Sequence, residues 1–329
     1  MSTQLFGVTS RLYKYSHTIG QRGYSGNSFV TALDFALGKE NRIYVFNRST
    51  EWRPDGVSVT ICTIDEQFLG RFGRFGYGDG AFVWPSAIAV DSDENVYCAD
   101  EWLQRISVFS SDGDFKYMWG VAGSGDGELN KPSGLAFDKE DNLYLVDSGN
   151  NRIQKFTKEG KFLANWGGSG NGNGEFNLPW GITIDPSGDV WVADWRNDRV
   201  QKFTPSGDFL ASFGSSGTDI GRFHRPTGIA VDKDGDFYVT EVENDRMQSF
   251  TADGRFISAF TGDATVSTWG EQKLQANPDQ IRQRELLREQ EREAERKFWR
   301  PTAVKIDDEQ RVIVNDSQRH RLQVYQKHS

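Results

Sequence analysis

A carboxylic acid and an arginine recur together along this sequence, always five residues apart. The acids are Asp100, Asp147, Asp194, Glu241 and Asp316, and the arginines are Arg105, Arg152, Arg199, Arg246 and Arg321. A carboxylate can bind a cation or move a proton, but it can also hold a guanidinium group and nearby backbone N–H groups. Because the pair recurs so regularly, we expect these acids to be structural and to tie a turn to the strand that follows it.

Histidines are the second set of residues that could do chemistry, because imidazole is both a metal ligand and a proton carrier. The chain has four: His17, His224, His320 and His328. His320 follows the acid Asp316 by four residues, and His224 lies close to Pro226. His224, His320 and Asp316 are therefore candidate ligands of a divalent metal, and the two histidines are candidate catalytic residues. His17 is predicted on an outer strand and His328 in the C-terminal tail, which leaves a three-histidine zinc site without its third ligand.

A third set of residues breaks the regular pattern. It consists of Trp102, Trp180, Trp195, Arg196, Arg225 and Arg300. These residue types favour a planar or anionic ligand, because a guanidinium group is planar, charged and able to stack on aromatic rings. We predict that these six residues bind a ligand. The alternative is that each tryptophan packs between repeating units.

All of these residues belong to a repeat. Pro85, Pro132, Pro179 and Pro226 are each 47 residues apart, and one unit contains the four β-rich runs SGLAFD, NLYLVD, RIQKFT and FLANWG. Polar or glycine-containing turns separate the runs. A repeated four-stranded antiparallel unit of this length is typical of a blade of a β-propeller. Similar segments begin near residues 30 and 301, so we predict an all-β, six-bladed propeller with blades that begin near residues 30, 85, 132, 179, 226 and 301.

The ring must also close. The last unit ends after its third strand, near Tyr325, whereas LYKYSHTIGQRG near the N-terminus has the pattern of a fourth strand. We therefore predict that residues 11–20 complete the last blade, which makes residues 1–329 one domain and removes exposed sheet edges. The loops of all blades then converge at one mouth of the central channel, where the residues beside the prolines and those after the repeat acids would meet.

One insertion interrupts the repeat and lengthens the proline spacing to 75 residues, from Pro226 to Pro301. Asn277 and Pro278 can start a helix, and strong helix formers continue to about Lys297. Its arginines share one face: Arg284, Arg288, Arg292 and Arg296. We predict an inserted surface helix over residues 277–297, which is a lid on the mouth, a docking surface or a solvated helix with internal ion pairs. A shorter insertion, residues 48–56 with Trp52, rises from the same side.

The run DSGNNRIQKF, with a glycine-rich loop before the next proline, resembles the NHL repeat, and the resemblance covers nearly the whole chain. Proteins of this family include RNA-binding domains, protein-interaction platforms, extracellular sensor domains and a zinc-dependent peptidyl-hydroxyglycine lyase with a three-histidine site. The placement of His320 is similar to that of one histidine in those lyases. Related lactonase-type propellers hold calcium through a glutamate on the first inner strand, where this chain has Phe29, Val30 and Thr31.

The composition of the chain narrows the range of partners and cellular compartments. The net charge of −9 argues against nucleic acid as a partner, because phosphate contacts need a concentrated basic surface. No apolar run is long enough to span a membrane, and the N-terminus lacks the pattern of a signal peptide, so we expect a cytoplasmic protein without a membrane partner. Cys62, assigned to the first insertion, and Cys98, on a second strand, are expected to be buried free thiols.

The leading hypothesis is therefore a propeller that binds a small molecule or a protein at the loop face of its channel. A metal-assisted lyase or hydrolase in the same mouth, with a divalent metal as cofactor, is the first alternative. A passive assembly scaffold is the second. The sequence decides neither the ligand nor whether the protein is an enzyme.

Overall fold

Six four-stranded antiparallel sheets surround a central channel in the computed structural model, which describes residues 11–49, 52–277, 279, 281–282 and 286–328. The inner strand of each sheet contacts the inner strands of both neighbours, so the ring is closed. No helix in the described part of the chain is long and apolar enough to cross a membrane. The predicted six-bladed propeller is confirmed.

The strands of each blade are given from the channel outwards. Blade 1 has β2 (Ala32–Leu37), β3 (Arg42–Asn47), β4 (Ser58–Thr63) and β5 (Phe68–Phe72); blade 2 has β8 (Pro85–Val90), β9 (Val96–Asp100), β10 (Arg105–Phe109) and β11 (Phe115–Trp119); blade 3 has β14 (Pro132–Phe137), β15 (Asn142–Asp147), β16 (Arg152–Thr157) and β17 (Phe162–Gly167). Blade 4 has β18 (Ile182–Ile184), β19 (Val190–Asp194), β20 (Arg199–Phe203) and β21 (Phe209–Phe213); blade 5 has β22 (Pro226–Val231), β23 (Phe237–Glu241), β24 (Arg246–Phe250) and β25 (Phe256–Phe260); blade 6 has β26 (Pro301–Ile306), β27 (Arg311–Asp316), β28 (Arg321–His328) and β1 (Leu12–Ile19). Two short parallel pairs, β6 (Arg74–Phe75) with β7 (Ala81–Phe82) and β12 (Val121–Ala122) with β13 (Glu128–Leu129), lie in the connectors between blades.

The burial of each strand follows from its place in the blade. Second strands are packed on both faces, so β15 reads as an almost continuous apolar run, NLYLVD, with five fully buried residues. Outer strands alternate between half-buried and exposed residues, as in β17. An apolar cluster fills each seam between neighbouring blades, which is the packing that the 13% aromatic content supports.

The chain termini close the ring within blade 6. Strand β1 pairs antiparallel with β28 from Leu12–His328 to Ile19–Leu322, which confirms the predicted closure. Strand β28 runs to His328, three residues beyond its predicted end, because β1 supplies it with a partner over that length. Lys327 near its end contacts Asp232, Asp234 and Asp236 in the first turn of blade 5 and so ties the closing blade to its neighbour.

The insertion between blades 5 and 6 is helical, as predicted, but with other bounds. Helix α1 spans Thr268–Gln275, before the predicted start, and helix α2 spans Glu289–Arg296. A single helix cannot run to α2, because Arg288 has an extended backbone with ψ of 156°. Pro278 and Arg284, on which the predicted helix start and arginine face partly rested, lie outside the described residues.

Helix α1 belongs to the core of the seam between blades 6 and 1. Ser267 caps it by accepting a hydrogen bond from Gly270 N, and the Ser267 hydroxyl donates to the carbonyl of Gly20. Trp269 is 3% exposed and meets the rings of Phe29 and Phe68 edge-on. The first helix of the insertion therefore stabilises the ring closure.

Both cysteines are buried free thiols, as expected. Cys98 lies on the second strand β9, but Cys62 lies on the third strand β4 and not in the first insertion. Burial raises the pKa of the Cys98 thiol well above its usual range, so this thiol is not a nucleophile at neutral pH.

Candidate functional site

The loop face of the propeller carries the loops between second and third strands and the connectors between blades. Inner strands start at this face, and 3₁₀ turns follow the repeat acids there in blades 3, 4 and 6, at Ser148–Asn150, Trp195–Asn197 and Ser317–Arg319. The candidate site residues predicted from the sequence lie in these segments or, for the repeat acids, at the ends of the second strands that lead into them. The two regions that the sequence assigned to one mouth are therefore on one face.

Each repeat acid is buried, and its carboxylate accepts hydrogen bonds from other segments of the propeller. Asp147 is fully buried and accepts hydrogen bonds from Asn130 N at 2.6 Å, Arg152 Nε at 2.8 Å and Gln154 Nε2 at 3.0 Å. Arg152 in turn donates through its other nitrogens to the carbonyls of Ser124, Gly125 and Glu128 in the preceding connector. The acid and the arginine thus fix the connector and the third strand around one buried charge.

The same arrangement is present in three further blades. Asp194 pairs with Arg199, Glu241 with Arg246 and Asp316 with Arg321, at 2.7–2.9 Å. Burial raises the pKa of Asp316, while the charge of Arg321 and the N–H donors lower it. In blade 2, Asp100 instead accepts four backbone N–H groups, and Arg105 donates to three loop carbonyls. Asn47 replaces the acid in blade 1 and accepts from Val30 N.

A second inter-blade contact was not anticipated from the sequence. In five blades the residue before the repeat proline, or before Ala32 in blade 1, has a positive φ, and its backbone N–H donates to a side chain of the preceding blade. The donors and acceptors are Lys131 with Gln104, Leu178 with Asn151, Arg225 with Asp198, Arg300 with Asp245, and Thr31 with His320, at 2.6–2.8 Å. The acceptors share a position but not a residue type, which is why their common role was missed.

His320 is therefore the link from blade 6 to blade 1. Its Nδ1 accepts the Thr31 N–H at 2.8 Å, which requires a neutral ring. Burial, together with the charge of Arg22, lowers the pKa of His320 to about 4. Asp316 faces its own scaffold partners, and His224 is held through its backbone N–H, which donates to Glu241. Among the described residues, the group that could hold a metal is Asp232, Asp234 and Asp236, not His224, His320 and Asp316.

The predicted aromatic and basic residues form a compact group in blade 4. The rings of Trp180 and Trp195 lie 6.2 Å apart, and the guanidinium groups of Arg196 and Arg225 lie over the Trp195 ring at 5.4 and 5.0 Å. We call Trp180, Trp195, Arg196 and Arg225 the blade-4 cluster. Its tryptophans are half-buried, and Arg196 is exposed.

The other predicted ligand-binding residues lie apart from this cluster. Trp102 is 55% exposed and packs against Trp84, whose ring lies below the guanidinium group of Arg48. Arg48 itself pairs with Glu101 at 2.9 Å. Arg300 pairs with Glu243 at 3.1 Å. Arg48, which lies beside Trp84 and Trp102, and Arg300 therefore already have carboxylate partners.

Trp180 occupies a position of the repeat that holds a small hydroxyl residue in most other blades. It follows Pro179, where other blades have a hydroxyl residue that donates to a carbonyl of the next blade, as Ser86 does to Pro132 and Thr227 to Pro301. The sequence signal was available, because the residue after the repeat proline is Ser or Thr in blades 2, 3, 5 and 6. Trp180 thus replaces a scaffold hydrogen bond in one blade with an aromatic surface.

The channel shaft below the mouth is too narrow for a ligand. The cavity between the inner strands is about 20 Å³ and is lined by residues such as Ser133, Trp180 and Thr227. This is close to the room that one water molecule needs. A ligand at the loop face must therefore bind at the mouth and not in the shaft.

The fold and these loops define the class of the protein, a six-bladed β-propeller. The NHL repeat model matches residues 129–156, 176–203 and 223–250, so blades 3, 4 and 5 each contain an NHL repeat. No curated protein matches the sequence significantly.

Solved structures share this fold at low sequence identity. A protein of unknown function from Bacteroides thetaiotaomicron aligns over 97% of this chain and 76% of its own, with a TM-score of 0.63 and 17% identity. A streptogramin B lyase aligns over 97% and 98%, with a TM-score of 0.58 and 10% identity. A catalytically inactive virginiamycin B lyase from Staphylococcus aureus with quinupristin aligns over 96% and 99%, with a TM-score of 0.57 and 11% identity. At these identities the likeness shows the fold alone.

Replacing Asp147 with alanine tests the role of the repeat acid. The change leaves the buried Arg152 Nε and the Asn130 N–H without their acceptor, so we expect a loss of about 3–5 kcal/mol in the free energy of unfolding. Asp253→Ala, which breaks an exposed ion pair with Arg255, should cost less than about 1 kcal/mol. Chemical denaturation measures both, and equal small losses would contradict a scaffold role.

The link through His320 predicts a pH dependence. The folded pKa is depressed below the unfolded value of 6.5, so the stabilisation is complete above pH 6.5 and is lost as the pH falls towards 4. His320→Asn, which copies Asn151 of blade 3, should remove about 2 kcal/mol of this acid sensitivity, allowing for partial exposure of the ring, and little stability at pH 7. Denaturation curves between pH 4 and 7 measure the difference; parallel pH profiles of the two proteins would count against the link.

Proposed function

We propose that this propeller is a binding module that takes up a planar anionic group, carried by a small molecule or by a partner protein, at the blade-4 cluster. The observation that carries the proposal is that the guanidinium groups of Arg196 and Arg225 both lie within 5.4 Å of the Trp195 ring centroid, with Trp180 beside it. An aromatic ring and fixed cations together bind a flat anion by stacking and by charge.

The charges of this cluster support the proposal. Within the described residues, Arg196 and Arg225 make no ion pair with a carboxylate, whereas Arg48 and Arg300 do. The blade-4 cluster therefore presents two guanidinium groups that no carboxylate among the described residues contacts directly, since the nearby Asp198 accepts the backbone N–H of Arg225 and not its guanidinium group. An incoming anion can pair with them without displacing an internal partner, which lowers the cost of binding.

The residues in which blade 4 differs from blade 3 also support the proposed binding site. Blade 3 and its neighbour have Ser133, Ser148, Gly149 and Leu178 where blade 4 and its neighbour have Trp180, Trp195, Arg196 and Arg225. Blade 3 forms the same four-stranded sheet with these residues. The blade-4 residues are therefore not required by the sheet, and a large aromatic side chain near the surface costs solvation that a binding role would offset.

A metal-assisted lyase or hydrolase in the same mouth has less support. Its candidate residues Asp316 and His320 both direct side-chain atoms at scaffold N–H groups. A passive assembly scaffold would need no tryptophan with two guanidinium groups over its ring, as Trp195 has in blade 4. Localisation in the cytoplasm stays a prediction from the sequence.

The direct test replaces the blade-4 cluster with the residues of blade 3. We expect the triple variant Trp180→Ser, Trp195→Ser and Arg225→Leu, which copies Ser133, Ser148 and Leu178, to fold and to bind planar anions at least tenfold more weakly than the natural chain. The measurement is calorimetric titration with indole-3-acetate, naphthalene-2-sulfonate and a nucleoside monophosphate.

Trp102→Gly is the matched control, because it removes an exposed tryptophan of blade 2 and also copies Gly149 of blade 3. It should leave the affinities unchanged. The proposal fails if no planar anion binds the natural chain, or if the triple variant binds as tightly.

A further inference from the structure

The opposite mouth of the channel is a bowl with a cavity of about 360 Å³, and its lining residues are apolar except for Thr183 and Lys305. Each blade contributes the last residue of its inner strand to the lining: Leu37, Val90, Phe137, Ile184, Val231 and Ile306. All six are half-buried, so the bowl is open to solvent at its rim. Its size lies within the usual range for small-molecule pockets.

Lys305 breaks the symmetry of this bowl. The equivalent inner-strand residue is Ala36, Ala89, Ala136, Thr183 or Ala230 in the other blades. Among the described residues that line the bowl, Lys305 is the charged one, and its side chain is 25% exposed. An ammonium group among mainly apolar side chains is the kind of polar group that fixes the orientation of a bound ligand.

Asp34 holds the ammonium group from the side of the shaft. Its Oδ1 lies 3.7 Å from Lys305 Nζ, and its carboxylate accepts the N–H groups of Phe35 and Ile88. Asp34 lines the narrow shaft but not the bowl, whereas Lys305 lines both. The 3.7 Å separation is longer than an N–H···O hydrogen bond, so the ammonium group keeps donors for an acceptor in the bowl.

The carboxylates at the rim of the bowl do not repel an anion bound inside it, because they already have cationic or hydrogen-bonding partners. Asp138, Asp185, Asp232 and Asp307 follow the inner strands of their blades, and each contacts a cation of a third strand or of blade 6: Lys155, Lys202, Lys327 and Arg311. Asp91 accepts the hydroxyl of Tyr97 and backbone N–H groups. None of these carboxylates lines the bowl.

We propose that this bowl is a second binding site, distinct from the loop face, for an amphipathic monocarboxylate: the ligand's carboxylate pairs with Lys305 and its alkyl chain lies against the apolar ring. The shaft of about 20 Å³ beyond Lys305 stops the ligand from passing further. The site is thus blind, with the charge at its floor and the apolar wall towards the rim.

Calorimetric titration with sodium octanoate tests the proposal. We expect one saturable site on the natural chain, and binding at least tenfold weaker for Lys305→Met, which keeps the apolar stem and removes the charge. 1-Octanol should bind the natural chain more weakly than octanoate and should not distinguish it from Lys305→Met. Going from hexanoate to octanoate should tighten binding about fourfold per buried methylene group.

Two further variants keep the test decisive. Asp34→Ala with Lys305→Ala copies the alanines of Ala87 and Ala89 in blade 2, so it removes both charges together and should fold, yet bind octanoate as weakly as Lys305→Met. Lys161→Met, an exposed lysine of an outer turn, should change nothing. The proposal is overturned if octanoate does not saturate a site, or if its affinity is the same without Lys305.

Discussion

The structure depends on one buried carboxylate in each of five blades. Asp147, the best example, collects a backbone N–H from the connector, the guanidinium group of Arg152 and the amide of Gln154. A buried charge is costly unless it is fully hydrogen-bonded, so this position fixes several segments at once. The loop face is rigid for that reason, and a rigid face can display side chains that vary from blade to blade.

The insertion between blades 5 and 6 is held by the same acid–arginine pair that fixes the connectors of other blades. Arg321 of blade 6 donates to the carbonyls of Glu295 and Lys297 at the C-terminal end of α2, where other repeat arginines donate to connector carbonyls. A guanidinium group at this end of a helix also complements the helix dipole. Helix α2 is therefore docked beside the mouth by a scaffold residue, while α1 is anchored in the seam between blades 6 and 1 through Trp269, its one buried residue. None of the described residues of either helix lines the shaft.

The features of this structure that the sequence predicts are those that recur in several blades. Asp147 and Arg152 could be read correctly because the same pair recurs at the same spacing, and β1 could be assigned because its pattern matches other outer strands. The link made by His320 could not, since only an acceptor atom is shared with Asn151 and Asp198. The Asp34–Lys305 pair joins the two ends of the chain, so no local pattern reveals it. The break at Arg288 lies in a run of strong helix formers, where intrinsic propensity gives no signal.

The central claim is that the scaffold is symmetric and that ligand recognition lies in the departures from symmetry at the loop face. The most direct measurement is a crystal of the protein soaked with a library of planar anionic fragments. The account predicts fragments stacked on Trp195 and paired with Arg196 or Arg225, with blade 3 left empty at the equivalent place. Fragments spread equally over the equivalent positions of all blades, or absent from Trp195, would contradict it.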